Sequence, residues 1–80
     1  MDLGILLGPL LPAELRLRVF PGNVVNINPD REVTRADVDH VRDAFQKLGW
    51  TEVESWLPRQ GMSWLSDGVS AGVSFRVEIP

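Results

Sequence analysis

The stretch VTRADVDHVRDAFQKLGW, Val33 to Trp50, carries the clearest structural signal in the chain. Thr34 is a natural N-cap, because its hydroxyl can accept from a backbone N–H that the first helical turn leaves unpaired. Asp37, three residues on, makes a shorter version of the capping box. Val33 and Val38 flank the cap at the spacing of a hydrophobic staple. Val38, Val41, Phe45 and Leu48 then recur every three or four residues and form one apolar stripe. Gly49 stands where a left-handed residue ends a helix, and Trp50 follows at the position that commonly packs back on the last turn, here on Phe45. The spacing predicts a helix over about 35–48 with one buried face.

Outward from this helix the period changes from 3.6 to 2. Glu14 to Phe20 alternates, with Leu15, Leu17 and Val19 on one side and Glu14, Arg16, Arg18 and Phe20 on the other, as in a half-buried strand. Pro21-Gly22 marks a turn. Asn23 to Asn28 is a second strand carrying Val25 and Ile27, and Asn28-Pro29-Asp30 is another turn. Beyond the helix, Thr51 to Leu57 alternates with Val53 and Leu57 inward, and Pro58 stops it. Met62 to Leu65 reads as a short strand, with a turn at Ser66-Asp67-Gly68. Val69 to Ile79 is the strongest strand. Val69, Ala71, Val73, Phe75, Val77 and Ile79 share one face; Ser70, Gly72, Ser74, Arg76 and Glu78 share the other.

These elements predict an α+β fold: a single helix on a mainly antiparallel sheet of four to five strands, in the order β-β-α-β-β(-β). A ferredoxin-like or related split βαβ variant accommodates that order, although a second long helix is missing. Residues 1–13 read as an apolar N-terminal arm and residues 14–80 as one small domain. In the arm, Leu3, Leu6, Leu7, Leu10 and Leu11 have helical spacing, and Pro9 limits any helix before it to a short turn.

Eighty residues bury a smaller share of their surface than larger domains do. The chain has no cysteine, so disulfides and thiolate metal sites are excluded. Stability must then come from packing or association, and an apolar share of 44% supports a packed core. The net charge of −3 argues against nonspecific nucleic-acid binding, which draws on a basic surface. The apolar opening, residues 1–12, lacks a basic leader, carries Asp2, is broken by Gly8, Pro9 and Pro12, and is too short to span a bilayer. The expectation is a soluble protein, in the cytoplasm or within a particle.

Catalytic chemistry finds little to work with. A nucleophile needs an adjacent base, and no serine lies in a GxSxG context. The single histidine, His40, has Asp37 and Asp43 three residues to either side. A two-carboxylate metal site is the sharp reading of that trio. A solvated helix face, with Arg35–Asp39 and Asp43–Lys47 pairs at i,i+4, is the simpler one. Glu52 and Glu54 read as outward neighbours on one strand, across from Arg16, Arg18 or Arg76, and cross-strand pairing accounts for them. No phosphate-cradling glycine loop is present. Sheet-surface RNA readers stack bases on exposed aromatics. Phe20 and Trp56 with the outward arginines would suit that use, but Glu14, Glu52, Glu54 and Glu78 would oppose phosphate. No catalytic residue, cofactor, metal or small molecule is therefore expected, nor a nucleic-acid partner.

The remaining signals concern surfaces. Trp56 is expected to point outward, where it either shields backbone at Gly72 or meets a partner. Met62 and Trp64 share a face, and exposed Trp and Met are enriched at interface centres. The arm either folds onto its own sheet or reaches a neighbour. The candidate partner surface is therefore Leu3, Ile5, Leu6, Leu7, Leu10, Leu11, Trp56, Met62 and Trp64. The functional expectation is a noncatalytic interaction or assembly module, as a homo-oligomer or a small subunit of a larger complex; a virus or phage particle is one setting that fits its size and arm. The alternatives are a small acidic inhibitor or regulator of another protein, of the anti-defence kind, and a small ligand-binding domain or enzyme using the Trp56/Trp64 region.

Overall fold

Helix α2, Arg35–Leu48, forms between the predicted signals. The computed structural model describes residues 2–56, 65–66, 69–70 and 72–80. Thr34 Oγ1 accepts from the Asp37 N–H at 3.2 Å, and Asp37 Oδ2 accepts from the Thr34 N–H at 2.8 Å, completing the capping box. The staple residues Val33 and Val38 are both buried. At the other end Gly49 adopts φ 75°. Its N–H bonds Gln46 O and the Trp50 N–H bonds Phe45 O at 2.9 Å, the two bonds of a Schellman motif. The Trp50 ring packs on Phe45 with centroids 6.2 Å apart.

The sheet follows the predicted order of elements. Strand β1 is Arg18–Phe20, β2 is Val24–Ile27, β3 is Thr51–Trp56, β4 is Leu65–Ser66, β5 is Val69–Ser70 and β6 is Val73–Glu78. The main sheet runs β1-β2-β6-β3, and β4 and β5 pair separately. Every pairing is antiparallel. Because β2 and β3 both run against β6, they are parallel to each other. Helix α2 therefore joins two parallel strands with a third inserted between them, which is the split βαβ arrangement.

One face of this sheet is the core. Val25 and Ile27 from β2, and Val73, Phe75 and Val77 from β6, are buried against Val38, Val41, Ala44 and Phe45 of α2. Phe75 meets Phe45 edge-on, with centroids 5.5 Å apart. The N-terminal arm closes the same core. Helix α1, Leu3–Leu7, is capped by Asp2 and runs into a 3-10 turn at Gly8–Leu10. Leu3, Leu7 and Leu11, spaced by four, are buried, and Leu10 packs at their margin. The arm thus packs into the same core as the sheet and α2.

Three strand readings need correction. Glu14 to Phe20 is not one strand: Ala13–Leu15 is a 3-10 turn and Arg16 is left-handed at φ 52°, so only Arg18–Phe20 pairs. A bidentate bond from the Arg16 guanidinium to Asp30, 2.8 Å at Nη1, accompanies this turn. Leu15 is still buried and Leu17 still packs on the core. Second, β3 carries a register shift between Glu52 and Glu54. Such a bulge leaves its extra residue unpaired, and Val53, expected inward, is 49% exposed. Third, Val69 to Ile79 is interrupted: Gly72, at φ 63°, separates β5 from β6. A Cβ there would meet Ile27 O at 2.8 Å, so β2 crowds this position. The inward set Val73, Phe75 and Val77 keeps its predicted phase. The expected inward turn of Leu57, the stop at Pro58 and most of the Met62–Leu65 strand lie outside the described residues.

Candidate functional site

The face of the sheet opposite α2 carries no covering element among the described residues. Its residues follow from the register. Phe20, Val24, Arg76 and Glu54 form one row across β1, β2, β6 and β3. Arg18, Asn26, Ser74 and Trp56 form the next. Two aromatics therefore stand on the two edge strands, Phe20 47% and Trp56 49% exposed. Between them the central strands carry Asn26 and Ser74 in the Trp56 row, and Val24 and Arg76 in the Phe20 row. Asn26 Nδ2 donates to Ser74 Oγ at 2.9 Å and to Val73 O at 3.2 Å, so the amide's donors are internally satisfied. Arg76 and Glu54 pair across strands at 3.3 Å, as the alternation suggested.

Most of the described charges elsewhere are held in ion pairs. Glu52, expected beside Glu54 on the outer face, instead turns toward α2 and receives Arg42 Nε at 2.8 Å and Nη2 at 3.1 Å. The bulge at Val53 is the reason: one extra residue reverses the phase between Glu52 and Glu54. That bond to Glu52 raises the Arg42 pKa. Glu14 also leaves the sheet face and lies 3.6 Å from Arg31. Arg31 reaches Asp37 at 2.6 Å. The Arg31 guanidinium, followed by the bonds from Thr34, holds the Asp37 carboxyl below its usual range despite its burial. Asp37 is committed to these partners and is not presented to His40, which is exposed. Asp39 and Asp43 pair with Arg35 and Lys47 along the solvated side of the helix. Among the described residues, Arg16, Arg31, Arg35, Arg42, Lys47 and Arg76 each hold a carboxylate, and Arg18 holds none.

The candidate partner residues divide. Leu3, Leu7 and Leu11 are consumed by the core, and Leu10 is partly covered. Ile5 and Leu6 remain exposed, at 71% and 40%. Trp56 lies on the outer face as expected, while the backbone at Gly72 lies against Ile27, Asn26 and Asn28. Met62 and Trp64 lie outside the described residues. Phe20 and Arg18 were legible as outward-facing but not as partner residues. Val53 was missed outright, because a bulge leaves no trace in a period-2 pattern.

The depressions on the described surface are shallow. One, of about 530 Å³, runs along the last turns of α2 over Arg42, Phe45, Trp50 and Glu52. Of its polar lining, Arg42 and Glu52 hold each other, and Asp39 and Asp43 hold Arg35 and Lys47. Comparison with family models, with curated proteins and with solved structures yields no match to this chain.

Proposed function

We propose that this chain is a noncatalytic interaction module that binds another protein through the outer face of its sheet. The observation that carries the reading is the pair of large aromatics, Phe20 and Trp56, each about half exposed on a sheet face that no described element covers. Burying an aromatic side chain contributes a large apolar area, and such residues anchor interfaces. Val24 and Val53 add apolar area on the same side and at the adjoining edge. The folded-back arm adds Ile5 and Leu6 as a separate apolar patch rather than a free tether.

The acidic-inhibitor alternative expects negative charge gathered on one surface. Seven carboxylates are instead distributed over seven ion pairs, on the helix, the sheet and the 3-10 turn. That distribution favours the assembly reading. The test is affinity recovery of the tagged chain from its native source, compared with a Phe20→Ala/Trp56→Ala double variant. The expected result is a partner recovered in stoichiometric amount by the wild type and lost by the variant, with unchanged circular dichroism. Equal recovery by the folded variant, or no stoichiometric partner for either, would refute the reading.

A further inference from the structure

We infer that the bulge at Val53 closes the free edge of β3 to a second copy of this chain, and that its removal opens that edge to strand pairing. The inference is independent of which partner the outer face meets.

Val53 is superfluous to the sheet itself. From Glu52 to Glu54 the strand advances two residues while β6 advances one, from Val77 to Arg76. The paired residues on either side of the bulge are nonetheless in phase. Thr51, Glu54 and Trp56 are exposed, Glu52 and Ser55 are half-buried, and their partners on β6 alternate in the same way. Without Val53 the strand would run Thr51-Glu52-Glu54-Ser55-Trp56 in unbroken alternation, with every partner on β6 retained. Val53 is also 49% exposed, so it adds little to the core. An extra residue that neither pairing nor packing requires acts on the side facing away from β6.

That side is the edge of the sheet. β3 stands last in the strand order, and among the described residues no strand pairs with its other side. An edge strand presents backbone donors and acceptors to any strand that approaches, and natural sheets blunt such edges with brevity, proline, charge or a bulge. At the opposite edge β1 is only three residues long and carries Arg18. β3 has six residues, and none is proline. Its two carboxylates are neutralised within the chain, Glu52 by Arg42 at 2.8 Å and Glu54 by Arg76 at 3.3 Å, so they repel a second copy only weakly. The bulge is the device left. It increases the local twist and breaks the row of edge groups into two short runs, Thr51–Glu52 and Glu54–Trp56.

The test compares the wild type with a chain lacking Val53 and with Val53→Ala, which keeps the extra residue. Each full chain is followed by circular dichroism, by sedimentation, and by amide hydrogen exchange read by NMR at micromolar and millimolar concentration. The deletion variant is expected to fold and to sediment as a larger species at high concentration. Its β3 amides should exchange about tenfold more slowly where about nine in ten chains are paired. Wild type and Val53→Ala should show no such concentration dependence in β3. A folded deletion variant whose β3 exchange ignores concentration would overturn the inference. So would an unfolded one, because Val53 would then be needed by the sheet. Protection of β3 with concentration in the wild type would show the edge already open. The same result in Val53→Ala would transfer the effect from the bulge to the side chain. Either one overturns the inference.

Discussion

The two faces of one four-stranded sheet are built by opposite means. On the inner face, Val25, Ile27, Val73, Phe75 and Val77 are apolar, buried and in contact with a helix that the same chain supplies. On the outer face, the two aromatics stand on the edge strands, and Asn26 with Ser74 and Arg76 with Glu54 satisfy one another. The inner face gains stability from burial. The outer face contributes little by burial within the domain, and is arranged so that burial by something else would strand few polar groups. Strand β6 shows the contrast within six residues, alternating Val, Phe and Val inward with Ser, Arg and Glu outward.

The comparison is broken most severely from within. Phe75→Ala removes a ring that is fully buried and edge-on to Phe45. It is expected to cost about 3–5 kcal/mol, a large part of a small domain's stability. Urea unfolding followed by circular dichroism should show little or no native baseline. Gly72→Ala comes next: a left-handed backbone and a 2.8 Å approach to Ile27 O leave no room for a methyl group. A loss of about 1–3 kcal/mol is expected, read as a lower urea midpoint.

Asp37→Asn is expected to cost about 1 kcal/mol at neutral pH, since the amide keeps an acceptor but loses the charge that Arg31 holds. The pH dependence fixes the cause. A carboxyl held low in the folded state adds stability above its unfolded pKa of about 4 and loses it as pH falls through the folded value. Wild type and Asp37→Asn should therefore converge in stability below about pH 4; a gap that persists in acid would place the effect in packing instead. Smallest of all should be Trp56→Ala, within about 0.5 kcal/mol, the range of a surface change. A loss near that of Phe75→Ala would erase the distinction between the faces.

Helix α2 was legible to the residue because its determinants are local. Thr34, Asp37, the valine staple and Gly49 act within one turn of where they stand. The strands were legible as alternation but not as neighbours, since pairing depends on residues far away in sequence. Arg16 and Val53 mark the failures. A left-handed arginine and a bulge each arise from how the chain joins elements already packed, and neither residue type announces them. The outer face was legible in part: Trp56 and Arg76 were placed outward by phase, and the Arg76–Glu54 pair followed. Glu52 could not be placed without the bulge, nor could its partner Arg42.

Strand β6 comes last among the strands yet lies between β2 and β3. Those two are never paired with each other, so neither the β1–β2 hairpin nor β3 has a sheet to join before residues 73–78 are in hand. The contacts that complete the sheet span up to 52 residues, as from Val24 to Arg76. Long-range closure of this kind slows folding relative to local assembly. Helix α2 can form early on its own caps, but it must wait with its apolar stripe unsheltered. The timing of this fold is thus set by one strand, and a chain interrupted before Val73 would keep the helix signals and lose the sheet.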